Sequence, residues 1–269
     1  MNRSLHRAMV YALLGVAAFV SVFPFFWLIL GATNISPDIL SGKVTPGSAL
    51  FDNIVKLTQQ VNLLQLFYNS TKIAVISTIL TLIVASLAGY GFEIFASKVS
   101  ERVFASLLAM LSVPFAALMI PLFVIMAQIH LINTHIAVIL PTVASIFVIF
   151  YFRQATKSFP SELRDAARVD GLKEWQIFLF VYMPVMRSTY AAATIITFMA
   201  SWNAYLWPLI VLQTNEMKTL TLAVASLLSA YVPDYGVVMV ATTLATLPTL
   251  FIFFILQRQF VQGLLGSVK

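Results

Sequence analysis

From Val103 to Phe152 the chain carries no lysine, arginine, aspartate or glutamate. One crossing of a bilayer takes about 20 mostly apolar residues, so this stretch alone is long enough for two crossings. Its most polar patch, His130-Leu131-Ile132-Asn133-Thr134-His135, is where the two are expected to part. Composition points the same way. Apolar residues make up 60% of the 269 and charged residues 10%, against roughly 45–50% and about 25% in a soluble domain. The mean hydropathy is +0.93. A soluble enzyme, a disordered chain and a nucleic-acid-binding module are excluded. The lack of cysteine removes disulfide frameworks, zinc fingers and thiol nucleophiles.

Six spans are expected, at about 9–30, 72–92, 104–126, 136–152, 190–212 and 236–256. The first follows Arg3 and Arg7, as a secretory signal would. Its apolar run, Ala8 to Leu30, exceeds the roughly 7–15 residues of a signal core, so it reads as a retained anchor. With the N-terminus inside, twelve of the 16 lysines and arginines fall in inside segments. By the positive-inside rule both termini then face the cytoplasm. The expected fold is an all-α polytopic membrane protein, N-in/C-in, forming one domain over residues 1–269. A cytoplasmic piece, about 153–189, lies between spans four and five, and external segments follow span one and precede span six. Pro114, Pro121 and Pro141 mark kinks or hinges in spans three and four, and Pro208 is expected to kink span five.

The cytoplasmic piece reads Phe159-Pro160-Ser161-Glu162-Leu163-Arg164-Asp165-Ala166-Ala167-Arg168-Val169-Asp170-Gly171 and runs on to Pro184. Two short helices are expected. Pro160 suits a helix start, and Glu162 in the first turn meets the positive end of the helix dipole. Leu163, Ala166, Ala167 and Asp170 share one face, kept shallow by the two alanines. Gly171 permits the left-handed turn that ends the first helix. The second runs to about Val181, and Pro184 stops it. Physical chemistry leaves two readings open: a rigid knob for a protein partner, or a helix lying on lipid headgroups through Arg164, Arg168 and Lys173.

These residues resemble the EAA loop of ABC-type importer permeases, E-A-A-x-x-x-G followed nine residues later by I-x-L-P. Here the pattern stands as Asp165-Ala166-Ala167, Gly171 and Val181-Tyr182-Met183-Pro184, with its spacing kept. Glu162-Leu163 and Arg168-Val169-Asp170-Gly171 resemble the carbohydrate-uptake group. So do Pro121-Leu122-Phe123 through Ile139-Leu140-Pro141, Trp202-Asn203-Ala204-Tyr205-Leu206-Trp207-Pro208-Leu209, and the ending from Gln257-Arg258 to Gly266-Ser267-Val268-Lys269. The resemblance covers most of the chain from span two onward. It implies a permease subunit in the bacterial plasma (inner) membrane whose EAA loop couples to a separate ATPase. Glu162, Asp165, Ala166, Ala167, Asp170, Gly171 and Pro184 would form that coupling element. It also implies a second permease subunit, two ATPase copies holding ATP and Mg, an extracytoplasmic solute-binding protein, and a sugar as cargo. Glycerol phosphate or another small polar solute is the alternative cargo.

This chain has no G-x-x-x-x-G-K-[ST]; its Gly42-Lys43 is followed by Val44, so no phosphate-binding loop is present. No catalytic residue, cofactor or metal is expected in it. For the substrate path the candidates are Trp202, Asn203, Tyr205 and Trp207, since sugars are held by aromatic faces with a few polar groups. Helix packing is the competing role for the same four. Glu93 is expected to be a boundary carboxylate at headgroup level, and His130 and His135 to be exposed loop residues. A secondary transporter would need charges within the spans, which hold almost none. An intramembrane enzyme would need a motif such as H-E-x-x-H or G-x-S-x-G, and neither occurs.

Overall fold

The computed structural model describes residues 3–265. The end of the tail, Gly266 to Lys269, lies outside them. In chain order the helices are α1 (Arg3–Ala32), α2 (Ser36–Leu40), α3 (Leu50–Gln60), α4 (Leu63–Ile94), α5 (Lys98–Met110), α6 (Phe115–Gln128), α7 (His135–Ile139), α8 (Ile146–Thr156) and α9 (Ser161–Val169). Then come α10 (Glu174–Ile177), a π-helical turn (Phe178–Tyr182), α11 (Met183–Val185), α12 (Arg187–Trp202), α13 (Leu206–Val211), α14 (Leu220–Leu228) and α15 (Tyr235–Leu265). No strand occurs among the described residues.

Four segments are long and apolar enough to cross a membrane unbroken: Met9–Ala32, Leu63–Ile94, His135–Thr156 and Tyr235–Arg258. The expected third span is not one rod. It divides into α5 and α6, bent by 102°. Pro114 is the cause: it caps α6 in an extended conformation and has no N–H to continue α5. The expected fifth span also divides. α12 stops at Trp202, and α13 begins at Leu206. Pro208 therefore does not kink a continuous helix. It sits in the first turn of α13, where a missing N–H costs little. The second span starts nine residues earlier than expected, at Leu63, so Lys72 lies well inside a helix. The segments flanking the outer spans are not plain loops, since they carry α2, α3 and α14.

The chain forms two compact units, Met1–Leu64 with Leu222–Leu247, and Gln65–Thr221 with Pro248–Lys269. The first is centred on Ala32, Leu57, Val237, Val240 and Ala241. Polar staples complete it. Asn53 Nδ2 donates to the carbonyls of Ala32 and Asn34, both at 3.0 Å. Asp234 accepts from Ser36 Oγ at 3.0 Å and Lys56 Nζ at 3.0 Å, and from the N–H groups opening α15.

The second unit has two packed clusters. Ala85, Phe104, Val148, Ile149, Phe152 and Ala193 form one, and Tyr90, Phe159, Phe178, Tyr182 and Met186 the other. α4 and α8 meet closely at Gly89, where a Cβ would stand 2.7 Å from that of Phe152. Beside this crossing Glu93 differs from expectation. It does not reach out to headgroups but pairs with Arg153, Nε to Oε2 at 3.2 Å. Arg153 also pairs with Glu101 and lies 4.1 Å from the centre of the Phe104 ring. A nearly buried guanidinium needs such partners, and Glu93 one helix away supplies one. His135 also departs from expectation. The Thr134 hydroxyl caps α7, and the first helical residue then turns inward. The ring is buried, with Nε2 3.1 Å from the Met217 carbonyl. His130 is exposed, at φ +56°.

Candidate functional site

Two places in the second unit gather the residues singled out by sequence: the knob around α9 and a cavity beside α12 and α13.

The knob is a helix with a hard stop. α9 begins after Pro160 with Glu162 in its first turn. It ends in a Schellman motif: the Gly171 N–H reaches the Arg168 carbonyl and the Leu172 N–H that of Ala167, both at 3.0 Å. Gly171 takes φ +83°, as the motif requires. The two alanines do not share a role. Ala167 is buried within the chain, whereas Ala166 is exposed. Glu162, Asp165 and Asp170 are exposed too. Leu163, Val169 and Trp175 lie apolar and exposed beside them, Val169 to 88%.

Glu174, which the sequence reading passed over, ties the knob together. Arg164 Nη2 stands 3.2 Å from its Oε1 and Arg168 Nη2 2.6 Å away. Tyr90 of α4 donates to Oε2 at 3.2 Å. The nearest sequence signal is helical in register: Arg164 and Arg168 are four apart and share a face. The acid that meets them comes from the next helix, which spacing does not reveal. Arg164 and Arg168 are therefore engaged within the knob.

Pro184 does not stop the second helix. Glu174–Val185 runs through it and bends by 80° into α12 at Met186. The π-turn ahead of it makes this possible. The Met183 N–H reaches five residues back to Phe178, and the wider turn takes the strain that a proline ring would place on a regular α-helix.

The cavity, of about 620 Å³, is walled by α4, α6, the α7–α8 segment and α12–α13. Asn203, Tyr205 and Trp207 line it. Trp207 is buried, and its indole N–H donates to the Ala137 carbonyl at 2.8 Å. Trp202 is not part of the lining. It is buried and stacks on Phe198, ring centres 5.7 Å apart, with Phe67 at 6.3 Å. Ser77 and Thr81 of α4, Thr142, Ser145 and Thr197 also line the cavity, and the sequence reading named none of them. A signal was there. Ser70, Ser77, Thr81 and Ser86 place small hydroxyl residues on the buried side of α4, and such residues mark helix faces that meet protein rather than lipid.

No group of three or more histidine or carboxylate side chains that could hold a metal occurs among the described residues.

A polytopic helical chain with a capped knob and a cavity between its helices is the build of a transport component, and the comparisons agree. Residues 82–266 match the family described as binding-protein-dependent transport system inner membrane component. The chain belongs to that family, and is an inner-membrane component of such a transport system. It is 63% identical to the lactose transport system permease protein LacG of Rhizobium radiobacter, over 100% of this chain and 98% of the relative. It is 36% identical to the arabinooligosaccharides transport system permease protein AraQ of Bacillus subtilis, over 92% and 90%. The fold matches a chain in the crystal structure of a bacterial ABC transporter involved in the import of the acidic polysaccharide alginate. That match has a TM-score of 0.81 at 19% identity and covers 97% of this chain and 99% of that one.

Proposed function

We propose that the chain, acting as one transmembrane domain over residues 1–269, is a permease subunit of an ATP-driven, binding-protein-dependent importer for oligosaccharides. The observation that carries this is the end-to-end 63% identity to a lactose permease. The chain spans the membrane six times, N-in/C-in, with the bent pairs α5–α6 and Glu174–α12 each counted once. It forms half of the pathway, and a second permease subunit forms the other half. Two copies of an ATPase hold ATP and Mg, and a solute-binding protein delivers the sugar from outside.

The coupling element is the knob: Glu162, Asp165, Ala166, Ala167, Asp170 and Gly171, with Pro184 in the rod behind it. Exposed Leu163, Val169 and Trp175 give an ATPase apolar surface, and Ala166 between them allows close approach. Closure of the ATPases would move α9 as a rigid body. Two links carry that motion inward. Glu174 joins α9 to Tyr90 on α4, and the rod Glu174–Val185 leads into α12, whose end borders the cavity.

The test is purification of the tagged chain in mild detergent. An ATPase and a second permease should accompany it, and the reconstituted complex should take up a sugar only with ATP and a loaded binding protein. A chain that purifies alone and transports in liposomes without ATP would overturn the assignment in favour of a secondary transporter.

A further inference from the structure

We propose that the hydroxyl face of the cavity is a subsite for sugar in transit, and that it selects an uncharged polyol over a phosphorylated one because it offers hydrogen bonds but no counter-ion. This rests on the importer reading.

Three threonine hydroxyls on the wall have already committed their protons. Thr81 donates to the Thr142 carbonyl at 3.1 Å, Thr142 to that of Ile139 at 2.7 Å, and Thr197 to that of Ala193 at 2.7 Å. A hydroxyl has one proton and two lone pairs, so each of these oxygens is left as an acceptor. Ser77, only 2% exposed, has a hydroxyl with no partner among the described residues and lines the same wall. A buried polar atom left unpaired costs free energy. A ligand hydroxyl that passes through the cavity would remove that cost.

Asn203 and Tyr205 add groups that both donate and accept, at the break between α12 and α13. The side chain of Trp207 supplies an apolar face only, since its N–H is held by Ala137. Among the described residues no lysine, arginine, histidine, aspartate or glutamate lines the cavity. A sugar, which donates from every hydroxyl, meets the acceptors offered. A phosphate oxygen only accepts. It could take hydrogen bonds from Ser77, Asn203 and Tyr205 but would meet no cation to neutralise it, and a charge brought into such a site without a counter-ion is strongly disfavoured.

The experiment uses the complete transporter with its binding protein in proteoliposomes, and radiolabelled lactose and a phosphate ester of lactose as probes for equilibrium dialysis in detergent. The complex should retain lactose and not the ester. Ser77→Ala and Thr197→Val should each lower lactose retention, and lactose carried per ATP hydrolysed, by about three- to tenfold, the range for one hydrogen bond to a neutral group. Ser77→Ala should meanwhile melt at the same or a higher temperature, because it deletes an unpaired buried hydroxyl. A residue with a purely structural role would not give that pairing of effects. Equal retention of the ester overturns the counter-ion argument. Unchanged retention and transport in both variants overturns the subsite. A wild-type complex that carries no sugar at all overturns the importer reading on which the subsite rests.

Discussion

At Arg153 a guanidinium with 8% of its side chain exposed lies between Glu93 and Glu101, over the face of Phe104. The two acids are unequal, because Glu93 is 25% exposed and Glu101 50%. Removing the shared cation leaves a half-enclosed carboxylate without its partner, so Arg153→Leu is expected to destabilise the protein by about 3 kcal/mol. Glu101→Gln removes only a solvated partner and should cost about 1 kcal/mol or less. Thermal unfolding of the purified complex would compare them, and equal losses would mean that exposure does not set the cost. None of this cluster was legible in the sequence. Glu93 and Arg153 are sixty residues apart, and a carboxylate near a span end looks the same whether it meets a headgroup or another helix. Gly171 was legible because its requirement is local: a helix that ends in the left-handed region favours glycine whatever surrounds it.

Among the elements, α4 and α8 depend on the bare backbone of Gly89. A Cβ there would stand 2.7 Å from the Phe152 Cβ and 2.8 Å from the Arg153 nitrogen, and backbone cannot step aside as a side-chain tip can. Gly89→Ala should cost about 1–3 kcal/mol, read as a lowered melting temperature. A variant that melts like the wild type would show that the two helices separate freely. The start of α15 answers to pH. Burial raises the Asp234 carboxyl, but bonds from Lys56, Ser36 and the Val237 N–H outweigh it and hold the group below its ordinary 3.8. A lowered folded value means that the stabilisation is present above 3.8 and is lost as pH falls through the folded value. Asp234→Asn should flatten the acid limb of the stability profile of the first unit by lowering stability at neutral pH, with little change in acid, where the carboxyl is already protonated. A limb as steep as in the wild type would assign the acid sensitivity elsewhere. Long apolar helices such as α1 and α4 could be read from hydropathy alone. Pro114 marked the bend at 111–114, though not that it would divide the span into two helices; the break at 203–205 holds no proline and was placed too late, at Pro208.

For the molecule as a whole, the coupling proposal needs α9 both to present a surface outward and to be fixed inward. The sequence pairs Ala166 with Ala167; the structure exposes one and buries the other. That decides which substitution is informative. Ala167→Trp would disrupt the knob's own packing, so loss of uptake in that variant would say little about docking. Ala166→Trp should leave the stability within about 0.5 kcal/mol of wild type, read from thermal unfolding, as exposed substitutions usually do. It should also abolish co-purification of the ATPase. An Ala166→Trp complex that assembles and transports normally would sink the docking assignment.

The π-turn at 178–182 is slack in the chain. It holds one residue more than a plain α-helix needs to connect the same ends, and Pro184 is what keeps that residue there. With Pro184→Ala the rod is free to close into regular helix. Closing without losing a residue turns everything beyond it by about 100°. α12 would then present a different face to the cavity. Transport should fail in Pro184→Ala and return when one residue of 178–182 is deleted as well. The proline then acts as a spacer that sets the phase between the knob and the wall of the pathway, and phase is a property that no single contact carries.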